Sequence, residues 1–269
     1  MVTGASKGIG MYIARALAEQ GMNLVLTARS ADKLETLASE LAGKDRSVLC
    51  IPADLSDREA LSRLVELAER ETGGIDVLVN NAGVENVMAF DQTPLDAIDE
   101  MLEVNLRSPL VLSRLLLPKM IARGRGHIVS VSSLSGLCGP AHQEIYCATK
   151  HALVGFTRSL HATIAGEGHP IACSVVCPGF VETGMYQERK EQYGVRAPFI
   201  VGTSTPEKVA RSVVRAIRRD RLEVIVSPSP MRPTFALAVF APKLASWLIA
   251  KAGLTSFSQR ALRTQSPER

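Results

Sequence analysis

The chain opens Met1-Val2-Thr3-Gly4-Ala5-Ser6-Lys7-Gly8-Ile9-Gly10, and the placing of three glycines in this stretch decides how the rest is read. Gly4 permits a tight turn, Gly8 lets backbone approach a pyrophosphate, and Gly10 allows close packing of the helix that follows. That helix is predicted from Ile13, Ala14, Leu17 and Ala18, an apolar stripe at helical spacing that ends at Gly21. A glycine-rich turn alone also fits a loose terminus. One that leads straight into an amphipathic helix points the helix's first amides at an anion. Such a loop ordinarily follows a buried strand, yet only Met1 and Val2 precede it here. We therefore expect a first strand that is nearly absent, and several more apolar, β-branched residues ahead of Met1 in the natural chain.

Strand-like and helix-like segments alternate from there on. Residues 23–27, 47–51, 75–79, 127–132, 171–176 and 222–226 are short apolar runs rich in Val, Ile and Leu. Between them, Ser30 caps a helix carrying Leu34, Leu37, Ala38 and Leu41, and Ser56 with Glu59 forms a capping box for the next. Thr93-Pro94 begins a long helix to about Met120, Glu144 starts another, and Thr205-Pro206 a further one. This order predicts an α/β protein with a doubly wound parallel sheet. Residues 1–227 read as a single dinucleotide-binding and catalytic domain. Residues 228–269 read as an apolar extension broken by Pro228, Pro230, Pro233 and Pro242.

Composition narrows the function. Hydrophobic content of 46% and charged content of 22% are those of a soluble globular chain. The net charge is only +4 and the arginines are scattered, which argues against nucleic acid as a partner. Five cysteines, an odd number without a framework pattern, read as reduced thiols in a cytoplasmic protein. Cys173 and Cys177 sit on an apolar run and suit core packing, and the histidines show no ligand spacing, so no metal is expected. No signal-peptide pattern is visible.

The chemistry is read from Glu144-Ile145-Tyr146-Cys147-Ala148-Thr149-Lys150. Residues four apart share a helix face, so Tyr146 and Lys150 point the same way. A free phenol, with a pKa near ~10, is a poor acid–base catalyst at neutral pH, and a fixed ammonium nearby lowers that value. Such a pair can pass a proton to or from a carbonyl or alcohol oxygen. Ser132-Ser133 closes the strand-like run thirteen residues upstream. A strand end, a helix face and a phosphate loop together describe a redox site.

These motifs, in this order and spacing, resemble the compact, single-domain branch of the short-chain dehydrogenase/reductase family, over residues 3 to about 226. Thr3-Gly4-x3-Gly8-x-Gly10 resembles that family's cofactor loop, with Ser6, Lys7 and Ile9 among the contacts it implies. Asn80-Asn81-Ala82-Gly83 resembles the motif closing its fourth strand, and Pro178-Gly179 with Thr183 the segment beside the nicotinamide. Asn105, Ser133, Tyr146 and Lys150 fall on its catalytic tetrad. The resemblance implies a Rossmann fold and an oxidoreductase, with Tyr146 as general acid or base and Ser133 holding the substrate oxygen. Lys150 would lower the pKa of Tyr146 and hydrogen-bond the nicotinamide ribose, and Asn105 would hold a water in a proton relay. Cofactor contacts fall on Gly4, Gly8, Gly10, Asp54 (the adenine contact), Asn81, Ala82, Gly83, Tyr146, Lys150, Pro178, Gly179 and Thr183. A homodimer or homotetramer, built through the helices near Pro94 and Glu144, is implied as well.

Charge argues for the choice of dinucleotide. The position after the second strand holds Ala28 where an NAD enzyme tends to place an acid on the ribose diol. Arg29 follows, and Lys7 lies in the glycine loop, so cations meet a 2′-phosphate and the expected cofactor is NADP(H). For the substrate, residues 181–204 carry Met185, Tyr186, Tyr193, Val195, Phe199 and Ile200. The tail adds Phe235, Leu237, Val239, Phe240, Leu244, Trp247, Leu248 and Ile249. An apolar ketone, aldehyde or secondary alcohol fits, and so does simple packing of a lid and a terminal helix. The tail falls short of the ~20 apolar residues of a bilayer span. Covering the site, packing on a second subunit and lying on a membrane surface remain open to it. Two other functions stay in view, a 3-oxoacyl-thioester reductase and a nucleotide-sensing protein without catalysis.

Overall fold

The computed structural model describes residues 1–251 apart from Asp45, Val195, Phe199 and Ile200. The strands are β1 (Val2–Thr3), β2 (Leu24–Thr27), β3 (Val48–Cys50), β4 (Val77–Asn80), β5 (Gly126–Val131), β6 (Ile171–Pro178), β7 (Phe180–Val181), β8 (Thr203–Ser204) and β9 (Glu223–Val226). Seven of them make a parallel sheet in the order β3-β2-β1-β4-β5-β6-β9. The helices are α1 (Gly8–Ala18), α2 (Ala31–Leu41), α3 (Arg58–Thr72), α4 (Leu95–Leu102), α5 (Ser108–Arg123), α6 (Glu144–Gly166), α7 (Gly184–Tyr193), α8 (Pro206–Arg218), α9 (Arg232–Phe240) and α10 (Pro242–Lys251). This is the doubly wound sheet that the sequence predicts.

Both sheet faces are apolar because successive strand residues point to opposite sides. On one face, Leu24, Leu26, Val79 and Val129 pack against Ile13 and Leu17 of α1, Leu34 of α2, and Val209 and Val213 of α8. On the other, Val25, Leu78, Ile128 and Cys173 meet Leu61 and Leu64 of α3, Leu112 and Leu116 of α5, and Ile164 of α6. Each such side chain, fully buried, contributes ~1.5–3 kcal/mol, so the scaffold is anchored evenly from both sides.

The first strand is short, as expected, and three residues make its contacts with the neighbouring strands. Val2 and Thr3 pair with Leu26 and Thr27, and Val2 with Val79 on the opposite side. The Met1 carbonyl accepts the Val79 N–H at 2.8 Å, and the α-amino group donates to Val77 O at 2.7 Å. Burial disfavours the charged form of that amine and brings its pKa down to about 5.

Three local expectations are corrected. The long helix from Pro94 comes in pieces. Between α4 and α5 the turn Glu103–Arg107 is π-helical, and α5 runs on to Arg123. The α3 cap is Asp57, whose Oδ1 accepts the Glu59 N–H at 2.9 Å, in place of the Ser56–Glu59 box. Ser56 is not free for capping, since its N–H and hydroxyl both donate to Asp54 Oδ1. Third, the segment after β6 is more ordered than the alternation foretold, forming α7 and a small parallel pair, β7 with β8.

Candidate active site

In a doubly wound sheet the strand order reverses between β1 and its neighbour β4, and a crevice opens there beyond the carboxyl ends of the strands. The residues singled out from the sequence lie at those ends. Gly4 follows β1, Ala28 follows β2, Asn81 follows β4, Ser132 and Ser133 follow β5, and Gly179 follows β6. A cleft of about 420 Å³ lies there, within the size range of small-ligand sites. Every cofactor residue named from sequence lines it except Gly10, and so do Ser133, Tyr146 and Lys150.

Backbone builds one wall. Gly4 has φ +66°, a left-handed conformation, and a Cβ there would lie 2.8 Å from Ala82 Cα. Gly10 sits beneath the cleft, where a Cβ would stand 2.2 Å from Gly4 O and 2.6 Å from Asn81 Nδ2. The Thr3 hydroxyl accepts the N–H groups of Asn81 and Ala82, both at 3.0 Å, and Asn81 Nδ2 donates to Thr3 O at 2.9 Å. The glycine loop and the Asn80–Gly83 turn are thereby locked together. Lys7, at the N-cap of α1, has no acceptor to offer the first-turn amides, which suits them to an anion. These features fit a dinucleotide.

Side chains build the reacting end. Tyr146 and Lys150, on one face of α6, are both buried. The Lys150 ammonium lies over the Tyr146 ring, 5.5 Å from its centroid, and donates to Val131 O at 3.1 Å. The Ser133 Oγ accepts the Ser135 N–H at 3.1 Å and lies near enough to the Tyr146 phenol to favour its ionised form. Burial pushes the phenol above its ordinary pKa and the nearby Glu85 carboxylate pushes the same way. Ser133 and Arg189 oppose them. Lys150 is brought down to about 8, again chiefly by burial. The expected lowering of the Tyr146 pKa by Lys150 is therefore not what the protein alone shows. Loss of water around the phenol dominates, and Lys150, itself desolvated, does not offset it.

Asn105 stands apart from its three companions. Fully buried at the π-helical turn, it donates to Val84 O and accepts the Val84 N–H, each at 2.7 Å. A Cβ on Gly83 would lie 3.3 Å from Asn105 Oδ1 and 3.4 Å from Lys150 Nζ, so Asn105 adjoins Lys150 without lining the cleft.

At the ribose end, Ala28 and Arg29 line the cleft, with Lys33 beside them. Asp54 is held by Ser56, a contact that lowers its pKa. Lys7 pairs with Glu188 of α7 at 2.8 Å, and Arg29 lies 3.9 Å from Glu100, both on exposed surface where ion pairs are weak.

The substrate end is less apolar than expected. Met185 and Tyr186 line it as foreseen, with Leu134, Phe180, Val201 and Met231. Tyr186 fastens the cover, its hydroxyl accepting the Ala197 N–H at 3.0 Å. Val195, Phe199 and Ile200 lie outside the described residues, as do the side chains of Tyr193 and Ile249. Of the tail residues, Phe235 packs on Leu134 and Val201, whereas Val239, Phe240, Leu244, Trp247 and Leu248 face solvent. Sequence reasoning missed Lys33, Glu85 and Arg189. Glu85 and Arg189 both line the cleft and form a 3.0 Å ion pair, with side chains 9% and 12% exposed. Glu85 stands just past the Asn80–Gly83 turn, but nothing in its spacing marks it. Arg189 sits in a helix the alternation did not foretell.

Residues 1–194 match the family described as short chain dehydrogenase. The chain belongs to that family. It is 36% identical over 266 residues to the ketoacyl reductase HetN of Nostoc sp., covering 97% of this chain and 91% of that one. It is 34% identical to the epidermal retinol dehydrogenase 2 of Mus musculus, over 82% and 71% of the two chains. Among solved structures it is similar to a short-chain dehydrogenase from Sphingobium yanoikuyae in complex with NADPH, with a TM-score of 0.77 and 26% identity over 91% of this chain and 94% of that one. A short-chain dehydrogenase/reductase from Burkholderia phymatum in complex with NAD gives a TM-score of 0.80 at 26% identity, over 90% and 93%. The chain is thus an oxidoreductase of that family.

Proposed function

We propose that the chain is an NADP(H)-dependent reductase of an apolar ketone or aldehyde, able to oxidise the matching secondary alcohol. The observation that carries this reading is the opening of Ser133, Tyr146 and Lys150 onto the cleft that also receives the glycine loop. The bound dinucleotide supplies the hydride in reduction and accepts it in oxidation. Tyr146 gives its proton to the carbonyl oxygen as negative charge develops there, and burial keeps that proton on the phenol at neutral pH. The Ser133 hydroxyl holds the same oxygen by hydrogen bonding. Lys150, anchored on Val131 O, holds the ribose and favours the phenolate once the proton has left. Asn105 fixes Val84 and adjoins Lys150 across Gly83, where it can hold the relay water. The glycine loop, Asp54, the Asn81–Gly83 turn, Pro178, Gly179 and Thr183 cradle the dinucleotide, and Arg29, Lys33 and Lys7 supply charge for a 2′-phosphate.

The test is a panel of carbonyls and alcohols with NADPH, NADH and their oxidised forms, followed at the nicotinamide absorbance. NADPH should be strongly preferred, and Ala28→Asp with Arg29→Ser should move the preference toward NADH by setting a carboxylate against the 2′-phosphate. A wild type indifferent between the two would overturn the cofactor assignment. A 3-oxoacyl-thioester substrate is the second reading, favoured by the identity with a ketoacyl reductase. Acyl-carrier-protein thioesters assayed beside free ketones separate the two. A sensing protein would need neither Tyr146 nor Lys150. For assembly we propose a homodimer or homotetramer through α4, α5 and α6, in keeping with the exposed Leu95 and Leu102. The free thiols suit a cytoplasmic setting.

A further inference from the structure

The α9–α10 hairpin carries its apolar residues on the wrong side for a soluble domain. In α10, Leu244, Trp247, Leu248 and Lys251 recur at helical spacing and form one stripe. That stripe faces water, while Ala245 is buried. Val239 and Phe240, at the end of α9, face water as well, Phe240 being 86% exposed. No helix among the described residues is long and apolar enough to cross a membrane.

Charge identifies the occupant. After Glu223 no acidic residue occurs until Glu268, whereas Arg232, Lys243, Lys251, Arg260 and Arg263 fall in that interval. The Lys251 ammonium lies 4.2 Å from the centroid of the Trp247 ring, so a cation and an aromatic share the edge of the stripe. An apolar face rimmed by cations is the pattern of a helix lying in the interface of an anionic bilayer. A second copy of this chain would bring its own cations against these.

We propose that the α9–α10 hairpin docks on an anionic lipid surface, seating Val239, Phe240, Leu244, Trp247 and Leu248 among the acyl chains. The hairpin also touches the cleft. Its inner residue Phe235 packs on Leu134 and Val201, and Met231, just before α9, lines the substrate end. Docking therefore brings the mouth of the cleft to the membrane, and the substrate class becomes a carbonyl or alcohol that partitions into lipid. This last step rests on the reductase reading; the docking does not.

Trp247, the single tryptophan, reports on the contact directly. Its emission should shift to the blue when the full chain meets phosphatidylcholine vesicles containing phosphatidylglycerol, and brominated acyl chains should quench it. Pure phosphatidylcholine vesicles, or molar salt, should weaken binding by roughly tenfold or more. Phe240→Ser with Leu244→Ser, both exposed, should abolish the shift while leaving turnover of a water-soluble carbonyl unchanged. No shift with anionic vesicles would overturn the proposal, as would equal binding by the double variant. A shift that appears without lipid and grows with protein concentration would assign the face to a second copy instead. Turnover serves only as a control on the double variant, and the docking itself is read from Trp247 emission, so docking and the reductase assignment fail separately.

Discussion

The two walls of the cleft are made of different material. The cofactor wall is backbone, two turns clamped by Thr3 and Asn81, with Gly10 so close to Gly4 O that no Cβ fits. The substrate wall is side chains, with Glu85 and Arg189 paired across it, Tyr186 fastening the cover, and Met231 reaching in from beside the tail. A backbone wall tolerates little change, because a turn that admits only glycine has no alternative packing. A side-chain wall can be rebuilt residue by residue. One fold can thus keep its cofactor and exchange its substrate.

The comparison can be broken first at Gly10. Gly10→Ala puts a Cβ into Gly4 O and Asn81 Nδ2. Overpacking of this kind costs ~1–3 kcal/mol, so NADPH affinity measured by fluorescence titration should fall by about ten- to hundredfold. Unchanged affinity would mean that the backbone wall is softer than its contacts imply.

On the substrate wall the effect should be smaller and of another kind. Tyr186→Phe leaves the Ala197 N–H without its partner, a loss of about 1 kcal/mol. The KM for the carbonyl should rise about fivefold while the KM for NADPH stays put. A matching rise in both would merge the two walls into a single unit.

Glu85 and Arg189 sharpen the comparison by sign. Under the proposed mechanism alcohol oxidation needs the Tyr146 phenolate, so its rate should rise as pH passes the phenol's pKa. Glu85 raises that pKa and Arg189 lowers it. Glu85→Gln should bring the rise to lower pH, and Arg189→Gln should move it to higher pH. Shifts of the same sign in both variants would show that lid displacement, not charge, governs the profile.

The smallest effect lies outside both walls. Gly155, in the middle of α6, has no atom within 4 Å of where a Cβ would stand. Gly155→Ala should stabilise the helix by ~0.5–1 kcal/mol, seen in a denaturant melt, with unchanged kinetics.

The same division explains what the sequence could tell. The backbone wall and the reacting pair were legible because their demands fall on single residue types at set spacing: Gly4, Gly8 and Gly10, the Asn80–Gly83 turn, and Tyr146 four before Lys150. The sheet was legible from alternating apolar runs, with a two-residue β1 at Val2–Thr3 where a strand nearly absent was expected. The Glu85–Arg189 pair was not legible, since it joins residues about a hundred positions apart through a helix that shows no apolar periodicity. The π-helical turn at Asn105 was hidden because a local change of winding leaves the run of Leu and Val around it unaltered. The raised Tyr146 pKa was missed for a related reason. A sequence shows that Lys150 is near, but not that both groups have lost their water.

Steady-state reduction of a responsive carbonyl by wild type and Tyr146→Phe, with NADPH binding measured on the same samples, tests the central claim most directly. The account predicts that turnover falls by about 10²–10⁴ in the variant while NADPH affinity stays within about twofold. Near-normal turnover in Tyr146→Phe would contradict it.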